Sequence, residues 1–202
     1  MKYTATLTTL MIGVITGAIL TFIVTNDSPK SGADLIAEYY EIENAVAVSP
    51  HGVRAQISEG QTTNFVLVDL RSREEYEAEH IVTAFNIPAY SDANTSAYNE
   101  VQRIVSSFQD IIANNPNKDI VVYCYSTACM TGRKIGHLLA NHDIYVKHLN
   151  IGWNEWKYEW DSWNHDGEIA VNPNDYVISG NEPGVPPITN TAPNCTDGEF
   201  GC

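Results

Sequence analysis

Two cysteines frame the stretch Tyr123-Cys124-Tyr125-Ser126-Thr127-Ala128-Cys129-Met130-Thr131-Gly132-Arg133. A cysteine is a nucleophile only as its thiolate, so its chemistry depends on what lowers its pKa. Cys124 ends the β-branched run Ile120-Val121-Val122, and a helical pattern begins after a short polar loop. That order puts the sulfur at a strand's carboxyl end, facing the first free N–H groups of a helix. Helix N-termini carry partial positive charge and stabilise an anion by up to about 2 kcal/mol, which is about one pKa unit at ~1.36 kcal/mol each. Loop N–H groups from Tyr125 to Met130 could add to this as an anion nest. Cys124 is therefore the candidate catalytic nucleophile. A buried structural cysteine is the plainer alternative.

Cys129 has three readings: a resolving thiol that closes a disulfide onto Cys124 or discharges it, a passive loop residue, or half of a metal pair. The last is disfavoured, because no Cys/His pair at zinc spacing accompanies it, and the expectation is no metal and no cofactor. A C-x5-R phosphatase loop is also disfavoured. It would need Arg at position 130 to bind phosphoryl oxygens bidentately, and Met130 stands there. Cys195 and Cys202 bracket a short loop near the carboxyl terminus, and a disulfide between them is expected in an oxidising compartment. Asn94-Thr95-Ser96 and Asn194-Cys195-Thr196 match glycosylation sequons, a short pattern of little weight.

The elements that must hold Cys124 read as alternating helices and strands. Ala33 to Asn44 has helical spacing, and Ala45 to Val48 is a short strand. Ser49 caps a helix that starts at Pro50 and runs to about Ser58. Phe65 to Leu70 is uniformly apolar apart from Asp69, as a strand buried on both faces would be. Arg71 to Glu79 is a short polar helix, and Ala84 to Pro88 a short strand. Tyr98 to Ala113 is amphipathic, with Val101, Ile104, Val105, Phe108, Ile111 and Ile112 on one face. Asp119 to Tyr123 is a buried strand, Met130 to Asn141 a helix, Ile144 to Leu149 a strand, and Asn154 to Trp163 a short aromatic helix. This alternation predicts an α/β fold with an open parallel sheet flanked by helices, whose ligands bind beyond the strands' carboxyl ends. From about Asn172 the chain is rich in Pro, Gly, Asn and Thr, and little structure is expected.

Composition sets the limits. The chain has 202 residues, 44% of them hydrophobic, enough for one domain with appendages. The formal net charge of −14 argues against nucleic acid, which needs a basic face. Residues 166–202 carry six acids and no Lys or Arg. Thr4 to Thr25 has no charged residue and spans ~33 Å as a helix, close to a bilayer's hydrocarbon thickness. It is expected to be a transmembrane anchor preceding the domain, with a cleaved signal peptide as the alternative. Lys2 precedes this span, which favours a cytoplasmic N-terminus and an extracytoplasmic domain. Gly13 and Gly17 form a weak helix-pairing motif. The organisation expected is therefore residues 1–32 as anchor and linker, 33–165 as the domain, and 166–202 as an acidic tail.

Several blocks resemble the rhodanese-like domain family. Leu67-Val68-Asp69-Leu70-Arg71-Ser72-Arg73-Glu74-Glu75-Tyr76, followed by His80-Ile81-Val82-Thr83-Ala84-Phe85-Asn86-Ile87-Pro88, is similar to its D-x-R, E-Y and G-H-I-x-G-A-x-N-I-P signature. Val121-Val122-Tyr123-Cys124 resembles the strand entering its active-site loop, and Gly152-Trp153 with Trp156 its Gly-rich turn and Trp. The resemblance covers about residues 45–163. It implies a sulfurtransferase that carries sulfane sulfur as a Cys124 persulfide, between a small sulfur donor and a thiol acceptor. The donor would be held by the loop residues Tyr125, Ser126, Thr127, Ala128 and Met130. Asp69 and Arg71 would brace the loop, and His80 would be a scaffold histidine. Tyr125, Trp153 and Trp156 would wall the pocket or, more commonly for aromatics at such spacing, fill the core. The chain departs from the pattern at four places. Thr127 and Cys129 stand where the loop usually has Gly and Arg, and Glu79 and Thr83 replace two glycines. Arg133 or Lys134 could supply the missing cation, or form only a solvated helix face. A thiol–disulfide module using Cys124 and Cys129 is the rival enzymatic reading, and a membrane-tethered binding domain the non-enzymatic one.

Overall fold

A computed structural model describes residues 29–60, 64–164 and 172–186. The span Thr4–Thr25, the Asn194 sequon, and Cys195 and Cys202 lie outside the described residues. Among the described residues no helix is long and apolar enough to cross a membrane. The chain divides into two units, residues 1–42 and 43–202. The first unit holds most of helix α1 (Gly32–Val46). That helix begins where Ser31 Oγ accepts the Asp34 N–H at 3.2 Å and the Asp34 carboxylate accepts the Ser31 N–H at 2.9 Å. Reciprocal bonds of this kind satisfy donors that a helix start leaves unpaired.

The second unit follows in chain order. It comprises β1 (Ala47–Val48), α2 (Pro50–Ser58), β2 (Phe65–Asp69), α3 (Arg73–Ala78), β3 (His80–Ile81), β4 (Phe85–Asn86), β5 (Tyr90–Asp92) and β6 (Thr95–Ser96). Then come α4 (Val101–Asn114), β7 (Asp119–Tyr123), α5 (Thr131–Ala140), β8 (Lys147–Leu149), α6 (Trp153–Tyr158) and β9 (Val177–Ile178). Five parallel strands form the main sheet in the order β1-β8-β7-β2-β4. Parallel neighbours need crossovers, and the helices supply them. The fold is thus a central parallel sheet flanked by helices, as expected. The predicted elements form, with bounds shifted by a few residues. Ser49 occupies the expected cap position of α2, but its hydroxyl makes no capping bond and faces His51 Nδ1 at 3.4 Å.

Strand alternation divides the core into two clusters. From β7, Val121 and Tyr123 join Val53, Ile57, Leu67, Trp153, Trp156, Trp160 and Tyr176 on one side of the sheet. Ile120, Val122 and Cys124 point to the other, with Val68, Ile104, Phe108, Ile135 and Leu139. Period two therefore sends Cys124 toward α4 and α5.

The stretch after Asn172 differs from expectation. Pro173–Tyr176 forms a 3-10 helix, and β9 pairs antiparallel with β3, His80 opposite Ile178. The reason is packing. Tyr176 is 2% exposed among the Trp156 and Trp160 rings, so this segment completes the aromatic cluster.

Candidate active site

Cys124 follows β7 directly and is 5% exposed, whereas Cys129 is half-buried. Both thiols are free, and both face the same cleft. The loop between them turns back because the Cys129 N–H donates to the Ser126 carbonyl at 2.9 Å. Helix α5 then starts at Thr131, two residues beyond Cys129. Thr131 Oγ1 lies 3.2 Å from Cys129 Sγ.

These contacts shift the two thiols in opposite directions. The bond with Cys129 and burial push the Cys124 thiol well up. The S–H donated by Cys124 pulls Cys129 down to about 5 against its partial burial, helped by the Thr131 hydroxyl and by N–H groups of Thr131 and Tyr125. The pair titrates as a unit: the first proton leaves readily and the second with difficulty.

A cleft of about 330 Å³, including its open mouth, lies beside the pair. It is lined by Cys124, Ser126, Thr127, Cys129, Arg133 and His148, among others. Arg133 is its exposed cation, with a guanidinium nitrogen 3.8 Å from Met130 Sδ. The pKa of His148, the middle residue of β8, is lowered by burial and then by the Arg133 charge, against a weaker pull from Glu43. Three residues expected at the donor site do not line the cleft: Tyr125, Ala128 and Met130. Tyr125 instead packs edge-on against Tyr90 at 5.2 Å, and its hydroxyl donates to the Glu75 carboxylate. Glu75 closes the capping box of α3, so the loop is tied to that helix start.

The loop's far side is clamped by α6. The Trp153 N–H donates to the Cys124 carbonyl at 2.8 Å, and the Asn154 N–H to that of Tyr125 at 2.9 Å. The Glu155 carboxylate accepts the Thr127 N–H at 3.1 Å and the Gly152 N–H at 2.9 Å. Backbone contact this close leaves no room for a side chain. A Cβ on Gly152 would stand 2.2 Å from the Ser126 nitrogen. Gly152 and Trp153 were expected from their positions, but the Glu155 clamp and His148 were not. Both act on residues far away in sequence. The one signal available was that β8's carboxyl end must neighbour β7's.

Asp69 and Arg71 lie below this layer. Arg71 Nη2 donates to Asp69 at 2.7 Å and to the Glu79 carbonyl at 2.7 Å, and the Tyr123 hydroxyl donates to Asp69 at 2.6 Å. The guanidinium stacks 4.2 Å over the Trp153 ring. The pair therefore reaches the loop through Trp153 and β7, and it does not line the cleft. His80 is fully buried, its ring nitrogens 2.8 Å from the Tyr76 carbonyl and 3.1 Å from that of Glu182. Trp156 is core. Lys134 Nζ sits 5.5 Å over the Tyr98 ring. Among the described residues no cluster of three or more His, Cys, Asp or Glu side chains is arranged to hold a metal ion.

Comparison with known proteins supplies the frame. A structure from Bacillus halodurans is 23% identical, with 63% of this chain and 82% of that one covered and a TM-score of 0.45. A full-length Lactobacillus plantarum protein is 19% identical, covering 63% and 94%, with a TM-score of 0.47. A structure described as rhodanese with anions from E. coli is 20% identical, covering 56% and 96%, with a TM-score of 0.32. No curated protein matches the chain. The Rhodanese-like domain family matches residues 49–159, more than half of the chain and the whole span from α2 to the loop clamp. The chain belongs to the rhodanese-like domain family.

Proposed function

We propose that this protein is a sulfurtransferase that carries sulfane sulfur as a persulfide on Cys124. Family membership supports sulfur transfer in general, although many rhodanese-like domains are not catalytic. The observation that carries the catalytic reading is the placement of Cys124. It ends the central strand, its loop is fixed by α6, and it borders a small cleft with one exposed cation, Arg133. A small anionic donor such as thiosulfate fits that arrangement. Cys124, its proton passing to Cys129, attacks the outer sulfur of the donor as a thiolate, the S–S bond of the donor breaks, and sulfite leaves with its electron pair. A thiolate acceptor then attacks the outer sulfur of the persulfide and releases Cys124. Direct attack on sulfur needs no general base, which agrees with His80 lying away from the cleft. Arg133 stands in for the cation that Cys129 displaces.

Incubating the full-length chain with thiosulfate tests this reading. A mass gain of about 32 Da, one sulfur, in the Cys129→Ser chain that disappears when Cys124 is also replaced by Ser supports it. Absence of any gain in the Cys129→Ser chain, which cannot discharge internally, overturns it. A second reading, a thiol–disulfide module, is favoured by the two free thiols bordering one cleft. It predicts a disulfide with an oxidant and no response to thiosulfate. The uncharged Thr4–Thr25 span further supports a membrane-anchored, extracytoplasmic placement. Fractionation with protease protection of the domain would check it.

A further inference from the structure

We infer that Cys129, positioned by the Thr131 hydroxyl and N–H, discharges the Cys124 persulfide internally, forming a Cys124–Cys129 disulfide and releasing hydrosulfide. The inference rests on the proposed sulfur transfer and names its missing second half. The step balances. The Cys129 thiolate attacks the inner sulfur, on Cys124; the persulfide S–S bond breaks, and HS⁻ leaves with the electron pair. In this step Cys129 is oxidised by one electron and the outer sulfur reduced by one; over loading and discharge together the two cysteines give up two electrons and the sulfane sulfur takes them. No outside oxidant is needed. A second thiol then reduces the disulfide and resets the site.

The geometry points this way for three reasons. Both sulfurs border the same cleft, and the turn closed by the Cys129 N–H on the Ser126 carbonyl folds the later one back toward the earlier, so ring closure needs only a local approach. Cys129 occupies the position of the loop cation, so the group beside a loaded Cys124 is a thiolate rather than an anion-binding Arg. And Cys129 has dedicated support. Thr131, 2% exposed, sits within 2.9 Å of the Tyr90 hydroxyl and 2.8 Å of the Tyr98 hydroxyl. Those two hydroxyls are 3.2 Å from each other. Thr131 has one proton to give. Tyr98 donates to Tyr90, Tyr90 can donate on to Thr131, and Cys129 as a thiol donates to the Thr131 oxygen; once Cys129 ionises, the Thr131 proton can turn to its sulfur. A chain of hydroxyls ending on sulfur favours the thiolate. The titratable and charged groups around it are Cys124, Tyr90, Tyr98, Tyr125, Lys134 over the Tyr98 ring, and Arg133 and His148 across the cleft. Thr131, Tyr90 and Tyr98 are positioning residues, since they act through Cys129.

The test uses the reduced full-length chain, one equivalent of thiosulfate, and no acceptor thiol. The wild type is expected to release about one hydrosulfide per chain and to end about 2 Da lighter than the reduced protein, the mark of one disulfide. Cys129→Ser should hold the added ~32 Da and release no hydrosulfide. Thr131→Val should slow release about tenfold or more and move its pH profile upward, because a charge-assisted bond is lost. Thr131→Ser, which keeps the hydroxyl, should restore both. A wild type that keeps the added sulfur and releases nothing overturns this inference while leaving sulfur transfer intact. A Cys129→Ser chain that never gains sulfur overturns both. Thr131→Val with unchanged rate and pH profile removes the role given to Thr131.

Discussion

The two faces of the central sheet do different work. The face with α4 and α5 is mainly aliphatic around Cys124, and its polar groups converge on sulfur: Thr131, Tyr90 and Tyr98. The opposite face is aromatic, with Trp153, Trp156, Trp160 and Tyr176, and its polar groups converge on backbone: Arg71, Glu155 and His80. Reactivity is built on one side and rigidity on the other. A loop is mobile by default, since its backbone has no ladder to join. Here the loop's chemistry comes from beneath α5 and its fixity from across the sheet, through α6. Changes on the aromatic face should therefore alter stability and sulfur transfer together. Changes around Thr131 should alter the chemistry more than the stability, whose cost is that of the tyrosine hydroxyls left unpaired, about 1–3 kcal/mol.

The largest effect is expected at Arg71. Arg71→Met leaves the Asp69 carboxylate, which is fully buried, without its cation. Removing one partner of a buried pair costs about 3–5 kcal/mol. Urea unfolding of the full-length chain should show a loss of that size. A loss below ~1 kcal/mol would mean that Asp69 is held well enough by Tyr123 and the Arg71 backbone N–H. Gly152→Ala should come next. Its Cβ would lie 2.4 Å from Ser126 Cα and 2.5 Å from the Tyr125 carbonyl carbon, so backbone must move. Overpacking of this kind costs about 1–3 kcal/mol. Sulfur loading should fall by more than about tenfold, because displaced loop N–H groups no longer face the sulfurs. Wild-type loading in this variant would separate loop position from chemistry and break the proposed coupling between faces.

Glu155→Gln should have a smaller effect, about 1 kcal/mol, since it weakens two charge-assisted N–H bonds without opening a cavity. Its signature should be kinetic: slower loading at nearly unchanged melting temperature, measured as rate against thiosulfate concentration. An unchanged rate would show that the Trp153 and Asn154 N–H bonds alone fix the loop.

Much of this comparison was legible in the sequence, and the parts that were not share a cause. β7 was predicted at its observed bounds because a buried parallel strand must be an apolar run. Cys124 was found because the run ends on it. Asp69, Arg71 and the Gly152-Trp153 turn were found through local motifs. The Glu155 clamp, the His148 side of the cleft and the Tyr90–Tyr98–Thr131 hydroxyls join elements distant in the chain, and periodicity reports burial, not partners. The Tyr176 segment looked structureless because Pro, Gly and Asn mask its few buried residues. Its docking depends on an aromatic cluster assembled from several elements.

Glu79 and Thr83 sharpen the comparison in the opposite direction, toward gain. Both replace glycines of the family pattern, yet the backbone treats them differently. Glu79 has φ −162, an extended conformation open to any residue, and its side chain pairs with Lys157 at 2.8 Å. Thr83 has φ 75, in the left-handed region that β-branched residues avoid. Its Oγ1 is buried and has no hydrogen-bond partner among the described residues. The conformation is imposed from outside, since the Thr83 N–H donates to the Pro183 carbonyl and Val82 N–H to that of Tyr176 at 3.1 Å. Strain of this kind costs about 1–3 kcal/mol, while glycine gives back up to ~1 kcal/mol in unfolded-chain entropy. Thr83→Gly should therefore stabilise the domain by about 1 kcal/mol, read as a higher urea midpoint at unchanged slope. Sulfur loading should not change, because Thr83 lies on the docking edge for residues 172–186, away from the cleft. Glu79→Gly should do the reverse, losing the Lys157 pair and adding unfolded-chain freedom with no strain to relieve. A Thr83→Gly chain no more stable than wild type would show that this face holds the turn without strain, and that the family's glycine is dispensable here for a reason other than compensation.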